Sequence, residues 1–251
     1  MAASPRKPVL KTLKACKCLE RVGPVLLETL AAAATPVELR EDEVLFANGQ
    51  VADAAYVVCS GWLTIETVDA DGRAALLDLA APGALLSFVE AIADQPHAAT
   101  VRAATPVALV RLPAQNLRRA FRSDPLFRRA ALHAANLQIV GAIEQVEWLK
   151  GRSCLERVAR FLLDLSGRRA GAAFVELPIE KRLIARWAGM TEWTISRVLA
   201  DLRPHGLEMT GRKVRIADVR AFRRSLGLSP PPRPRAKPDA SPLDAASLRA
   251  V

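Results

Sequence analysis

The chain has 251 residues, 51% hydrophobic and 25% charged, with a formal charge of +10. This length and composition exclude a disordered chain and a small disulfide scaffold, and suit one large or two modest globular domains. No run of 18 or more apolar residues offers a membrane span, and the basic excess favours a polyanionic partner.

Residues 1–20 carry Arg6, Lys7, Lys11, Lys14 and Lys17 without a continuous apolar core. They do not read as a secretory signal, so a cytoplasmic protein with a loose, basic, flexible N-terminus is expected. Cys16 and Cys18 form a C-x-C pair, with Cys59 and Cys154 distant in sequence. Cys59, in an apolar strand, and Cys154, in a helical pattern, read as small buried hydrophobes.

Residues 21–123 read as one β-rich domain. A short apolar helix over 22–34 ends before Thr35-Pro36. Apolar segments at 37–39, 44–46, 56–59, 63–68, 74–79, 100–103 and 107–112 then alternate with turns. Gly49, Gly61, Gly72 and Gly83 fall at intervals of 12, 11 and 11 residues, and Asn48-Gly49 and Asp71-Gly72 are strong turn signals. Evenly spaced short strands suit a closed double-sheet roll. A metal enzyme on such a roll needs clustered ligands, whereas the region offers one histidine, His97, and no H-x-H pair. Asp94 is close to His97 in sequence, but no activated nucleophile accompanies them. No enzyme is expected.

Residues 124–150 form one long helix, opened by Asp124-Pro125. Leu132, Ile139 and Val146 recur every seven residues, Ala135, Ala142 and Leu149 form the paired series, and Ile143 widens the seam. A single helix lying on the roll gives part of this pattern. The strict spacing favours two copies packed across a symmetry axis, with Ala135 and Ala142 permitting close approach.

Residues 151–228 begin at a break, Gly151. A helix over 153–165 buries Leu155, Val158, Ala159, Leu162 and Leu165; a turn and a strand over 174–177 follow. Then come helix, tight turn, helix and hairpin. Ile184, Ala185 and Ala188 share a face, Gly189-Met190 makes the turn, and Thr191 caps the second helix. Ile195, Val198, Leu199 and Leu202 point inward, which leaves Glu192, Trp193, Ser196 and Arg197 outward near that helix's N-terminus. Thr210-Gly211-Arg212-Lys213 is the tip of a basic wing, and a short helix over 218–226 closes the domain. Between Arg168 and Arg224 stand 13 Lys/Arg against 6 Asp/Glu, a net of +7, so much of the basic excess lies here. The Pro-rich tail, 229–251, reads as disordered.

Leu177, Ile184, Gly189, Thr191, Thr194, Ile195, Ser196, Arg197, Leu199 and Gly206-Leu207 carry a resemblance to the winged helix-turn-helix of the cyclic-AMP receptor and fumarate-nitrate regulator (Crp/Fnr) family, extending over about residues 20–225. The resemblance implies an α+β fold with an N-terminal cyclic-nucleotide-binding-like β-roll, a long dimerisation helix and a C-terminal winged helix-turn-helix. It implies a homodimer that binds double-stranded DNA at an inverted repeat and recruits or blocks RNA polymerase. Arg197 then reads a guanine, and Ser196 a base or backbone oxygen. Thr191 with the first amides of its helix takes a phosphate, as do Arg212 and Lys213 at the wing. Thr194 completes the DNA-facing set with Trp193, which stands where relatives hold a glutamate that pairs with cytosine and braces the arginine. Indole cannot accept a hydrogen bond, so Trp193 packs on a thymine methyl or lies across backbone sugar. Glu180 likewise stands where relatives have a hydroxyl cap, with Pro178 offering another helix start.

In cyclic-nucleotide-binding relatives a Gly-Glu pair and a later Arg-Ser pair hold the ligand. Here Ser87-Phe88 and His97-Ala98 occupy those positions, and loss of the bidentate arginine speaks against cyclic AMP. Leu86, Phe88, His97 and Ala99 are the expected lining of any effector cavity. Some relatives bind iron-sulfur through N-terminal cysteines. With only Cys16 and Cys18 there, and no second ligand beside His97, neither iron-sulfur nor haem is supported. The remaining alternative is a ligand sensor that acts through a protein partner and has no operator of its own.

Overall fold

The structure is a computed structural model that describes residues 6–20, 22–68, 74–177 and 179–228, leaving aside the side chains at 6, 7, 17 and 149. The Asp71-Gly72 turn, Pro178 and the tail expected over 229–251 lie outside the described residues. The chain divides into two compact units, with the boundary between Val140 and Gly141. No described helix is long and apolar enough to cross a membrane.

The first unit corrects the reading of residues 1–20 as flexible. Helix α1 (Arg6–Ala15) and a following 3-10 turn (Lys17–Leu19) pack on the core through Val9, Leu13, Cys16 and Leu19. Those four positions recur at helical spacing; Lys11 and Lys14 stay exposed on other faces and mask the stripe in a composition reading. Helix α2 (Pro24–Ala33) adds Leu27, Leu30 and Ala31 to the same core.

Eight antiparallel strands form the roll. They are β1 (Thr35–Leu39), β2 (Val44–Phe46), β3 (Ala54–Ser60), β4 (Leu63–Val68), β5 (Ala74–Ala80), β6 (Leu85–Leu86), β7 (Thr100–Ala103) and β8 (Val107–Pro113). One sheet runs β1-β8-β3-β6 and the other β2-β7-β4-β5. Alternation explains why β3 is buried on both faces. Ala55, Val57 and Cys59 join the helical core, whereas Ala54, Tyr56 and Val58 face the roll interior. In β8, Ala108, Val110 and Leu112 do the first job and Val107 and Leu109 the second.

Helix α3 (Phe88–Ala93), helix α4 (Ala114–Ser123) and the two-residue β6 are not anticipated by the sequence reading. A six-residue apolar run such as F-V-E-A-I-A does not separate helix from strand by periodicity. Helix α5 (Pro125–Gly151) matches the expected long helix, and Asp124 caps it by accepting from the Phe127 N–H at 2.8 Å. Its start is pinned to the roll: Phe127, Ala130, Ala131 and Ala134 are buried, and Phe127 meets Phe88 edge-on at 5.7 Å.

The second unit contains α6 (Cys154–Ser166), β9 (Ala173–Glu176), α7 (Lys181–Trp187), α8 (Glu192–Asp201), β10 (Leu207–Thr210), β11 (Lys213–Ile216) and α9 (Val219–Ser225). Ser153 and Glu156 form a reciprocal capping box at the start of α6, and Asp218 caps α9. The three strands order as β10-β11-β9, all antiparallel, and make the wing.

Gly61 joins β3 to β4 at φ +81°, and a Cβ there would collide with the Pro106 carbonyl oxygen. Gly49 has the same φ, yet a Cβ there meets open space. Gly61→Ala is therefore expected to cost well over ~2 kcal/mol, from strain plus collision, and Gly49→Ala ~1 kcal/mol from strain alone. Urea unfolding of the two variants checks the difference.

Candidate nucleic-acid interface

Helices α7 and α8 are held together by the apolar residues the spacing selects. Ile184, Ala185, Ala188, Ile195, Val198, Leu199 and Leu202 are all buried. Gly189 makes the tight turn at φ +64°, and the Met190 N–H donates back to the Ala185 carbonyl at 2.9 Å. Thr191 caps α8: its hydroxyl accepts from the Thr194 N–H at 3.2 Å and lies 2.8 Å from the Thr194 hydroxyl. Glu180 occupies the N-cap position of α7 without a side-chain cap bond and pairs with Arg182 instead.

The outward face of α8 brings Trp193, Ser196 and Arg197 together. Trp193 is 70% exposed, and the Arg197 guanidinium carbon lies 5.6 Å from the centre of its indole. The arginine is thus braced by a ring, through cation–π attraction, at the position where the resemblance leads one to expect a carboxylate. Sequence reasoning missed this contact, although the four-residue spacing of Trp193 and Arg197 puts them on one helix face. The Ser196 hydroxyl donates to the Glu192 carbonyl at 3.2 Å and keeps its lone pairs for a further donor.

The wing tip is Gly211-Arg212, with Gly211 at φ +60° between Thr210 and Lys213. Arg212 Nε donates to the Leu177 carbonyl at 2.9 Å, and Leu177 N–H donates to the Arg212 carbonyl at 2.8 Å. One edge of that guanidinium is therefore fixed to the end of β9. Lys213 is exposed, and Arg215 pairs with Glu208 across the hairpin at 2.7 Å. Behind α7, Trp187 packs at a tilt against Trp148 of α5 and Phe161 of α6, with ring centres 4.4 and 5.0 Å apart and planes 52° apart in both pairs.

The seam of α5 is open in the single chain. Leu132, Ile139 and Val146 are 69%, 60% and 52% exposed, Ile143 and Ala142 are exposed, and Ala135 is half-buried. Leu149 follows in register, its side chain outside those described.

The four residues expected to line an effector cavity do not share one wall. Leu86 faces the roll interior, while Phe88 points into the helical core. Ser87 between them has φ +54°, and this left-handed turn separates two residues that a strand would keep on one side. Ala99 is half-buried. His97 is no surface loop residue. It is buried, stacked on Phe46 with ring centres 3.7 Å apart, and its Nδ1 shares a 2.6 Å hydrogen bond with Ser87 Oγ. Ser87 and His97 are the first residues of the two pairs aligned with the nucleotide-holding pairs of the resemblance. Here they bind each other.

The described cysteines are all free, and no group of three or more His, Cys, Asp or Glu among the described residues is placed to hold a metal ion. The Cys16 and Cys18 thiols hydrogen-bond to each other. That contact lowers the half-exposed Cys18 thiol to about 7, and it raises buried Cys16 together with desolvation.

Residues 36–124 match the profile of the cyclic nucleotide-binding domain, and residues 156–225 match that of the Crp-like helix-turn-helix domain. The nitrogen fixation regulation protein FixK of Rhizobium meliloti (strain 1021) is 29% identical over 202 residues, which span 80% of this chain and 89% of FixK. The structure of FixK2 from Bradyrhizobium japonicum aligns with a TM-score of 0.68 at 25% identity, over 76% of this chain and 96% of that one. A CRP/FNR-family transcriptional regulator from Thermus thermophilus shares the fold, with a TM-score of 0.58 at 24% identity, over 75% of this chain and 96% of that one.

Burial lowers the pKa of His97, with Glu90 and Asp53 acting weakly the other way. The unfolded chain therefore takes up this proton first. The stability contributed by neutral His97 is full above about 6.5 and is lost as pH falls below it. Thermal unfolding across this range should decline more steeply in wild type than in His97→Gln. At Cys18, alkylation by iodoacetamide should precede that of Cys16 and Cys59 and titrate near pH 7. Cys16→Ala should move that titration upward, read by peptide mass spectrometry.

Proposed function

Because the chain belongs to the Crp/Fnr family of transcriptional regulators, we propose that it binds double-stranded DNA as a homodimer at an inverted-repeat operator. The observation that carries this reading is the outward face of α8. Trp193, Ser196 and Arg197 project beside the capped N-terminus of the helix, free of any packing task.

In this reading α8 enters the major groove by its N-terminal half. Arg197 bonds guanine O6 and N7, while Thr194 reaches a base or backbone oxygen and Ser196 offers its lone pairs to a base amino group. Thr191 and the leading amides of α8 face a phosphate. Arg212 and Lys213 of the wing take flanking phosphates, which position the domain without carrying sequence information. Two copies joined through Leu132, Ala135, Ile139, Ala142, Val146 and Leu149 present their recognition helices to half-sites about 34–36 Å apart. Bound at a promoter, such a dimer recruits RNA polymerase or obstructs it.

Control by an effector or redox signal at the roll belongs to the same reading. The Ser87–His97 bond stands at the positions aligned with a nucleotide anchor, which supports a signal other than cyclic AMP. Any signal has to bind one arrangement of the DNA-binding domains better than another.

Two variants test the proposal. Arg197→Ala should weaken operator binding by about 10- to 100-fold in a gel-shift assay and leave non-specific retention nearly unchanged. Ile139→Glu should convert the dimer to monomer in sedimentation and lose operator binding with it. Sequence-selective binding that survives Arg197→Ala undiminished would refute the assignment.

A further inference from the structure

We propose that Trp193 reads the methyl group of a thymine beside the guanine taken by Arg197, so that each half-site is built on a thymine–guanine step. The inference rests on the DNA-binding reading above and assigns its specificity.

The fold gives Trp193 no structural task. Ile195, Val198 and Leu199 supply the buried face of α8, whereas Trp193 is exposed one turn before Arg197. On the helix face that the DNA-binding reading turns to the groove, its indole offers an apolar surface beside the Arg197 guanidinium. The stack with Arg197 uses one part of the ring and limits where the guanidinium can swing. The rest of the indole advances with the arginine toward the same groove floor.

Chemistry then selects the base. Indole carries one N–H donor and no acceptor. It cannot satisfy the amino group of cytosine or adenine, which is the work a carboxylate or amide does. Its remaining surface is apolar. In the major groove of unmodified DNA, thymine alone displays an apolar group, its C5 methyl. Because Trp193 and Arg197 are held in one contact, their bases are neighbours. Ser196 lies between the two in sequence, and its hydroxyl is bonded to Glu192, so it does not compete for the methyl.

The experiment starts by selecting an operator from random duplexes with the full-length protein. Each thymine of the selected site is then replaced by deoxyuridine, which removes only the methyl, and dissociation constants are measured. One thymine per half-site, next to the guanine that Arg197 requires, should show about a fourfold weakening, the value of one buried methyl. That penalty should vanish in Trp193→Ala, and 5-methylcytosine at the position should bind better than cytosine. A selected operator indifferent to deoxyuridine throughout overturns the inference and leaves the DNA-binding reading standing. So does a penalty that persists in Trp193→Ala, with the indole then assigned to backbone sugar. Recovery of no operator at all removes the reading and the inference together.

Discussion

Helix α5 is apolar on two faces, and each face has to be covered by something different. Phe127, Ala130, Ala131 and Ala134 fix its first turns in the core of the β-roll unit. Leu132, Ile139, Ile143 and Val146 turn away and remain in solvent. Burying a large aliphatic side chain is worth ~1.5–3 kcal/mol, so the open seam is a standing drive toward association. A second copy presents the same seam at the same spacing.

The β-roll depends on strands that serve two cores at once. β3 and β8 send alternate residues to the helical side and to the roll interior, and this two-sided demand accounts for their nearly unbroken apolar runs. The interior of the roll is closed partly by polar chemistry. His97 is satisfied by Ser87 and flanked by the ring of Phe46, so a buried imidazole is accommodated without charge.

Much of this architecture was legible in the sequence because its signals are local. The heptads of α5, the helix start at Asp124-Pro125, the cap at Thr191 and the turn at Gly189 each involve residues a few positions apart. The candidate interface was legible for the same reason, since Ser196 and Arg197 lie opposite the buried stripe of their own helix. What sequence reasoning lost is non-local or small. The burial of His97 depends on Phe46, 51 residues earlier. The divergence of Leu86 and Phe88 depends on one left-handed residue, Ser87, which is neither glycine nor asparagine. The stripe of α1 is diluted by lysines, and composition hid it. The sequence leads one to expect Arg212 as a phosphate-binding cation of the wing, yet its Nε bond to the Leu177 carbonyl comes from strand pairing that local sequence does not display.

The ion pairs around the wing bear on how strongly salt would govern attraction to a polyanion. Affinity for DNA falls with salt in proportion to the phosphates neutralised, since each releases condensed counterions. The sequence offers 13 basic residues between Arg168 and Arg224. Arg182 already answers to Glu180, and Arg215 to Glu208. Those cations already face a carboxylate on the domain's own surface. If this face binds DNA, its ionic-strength sensitivity is set by a smaller group of charges than composition suggests, and shape and base contact carry more of the affinity.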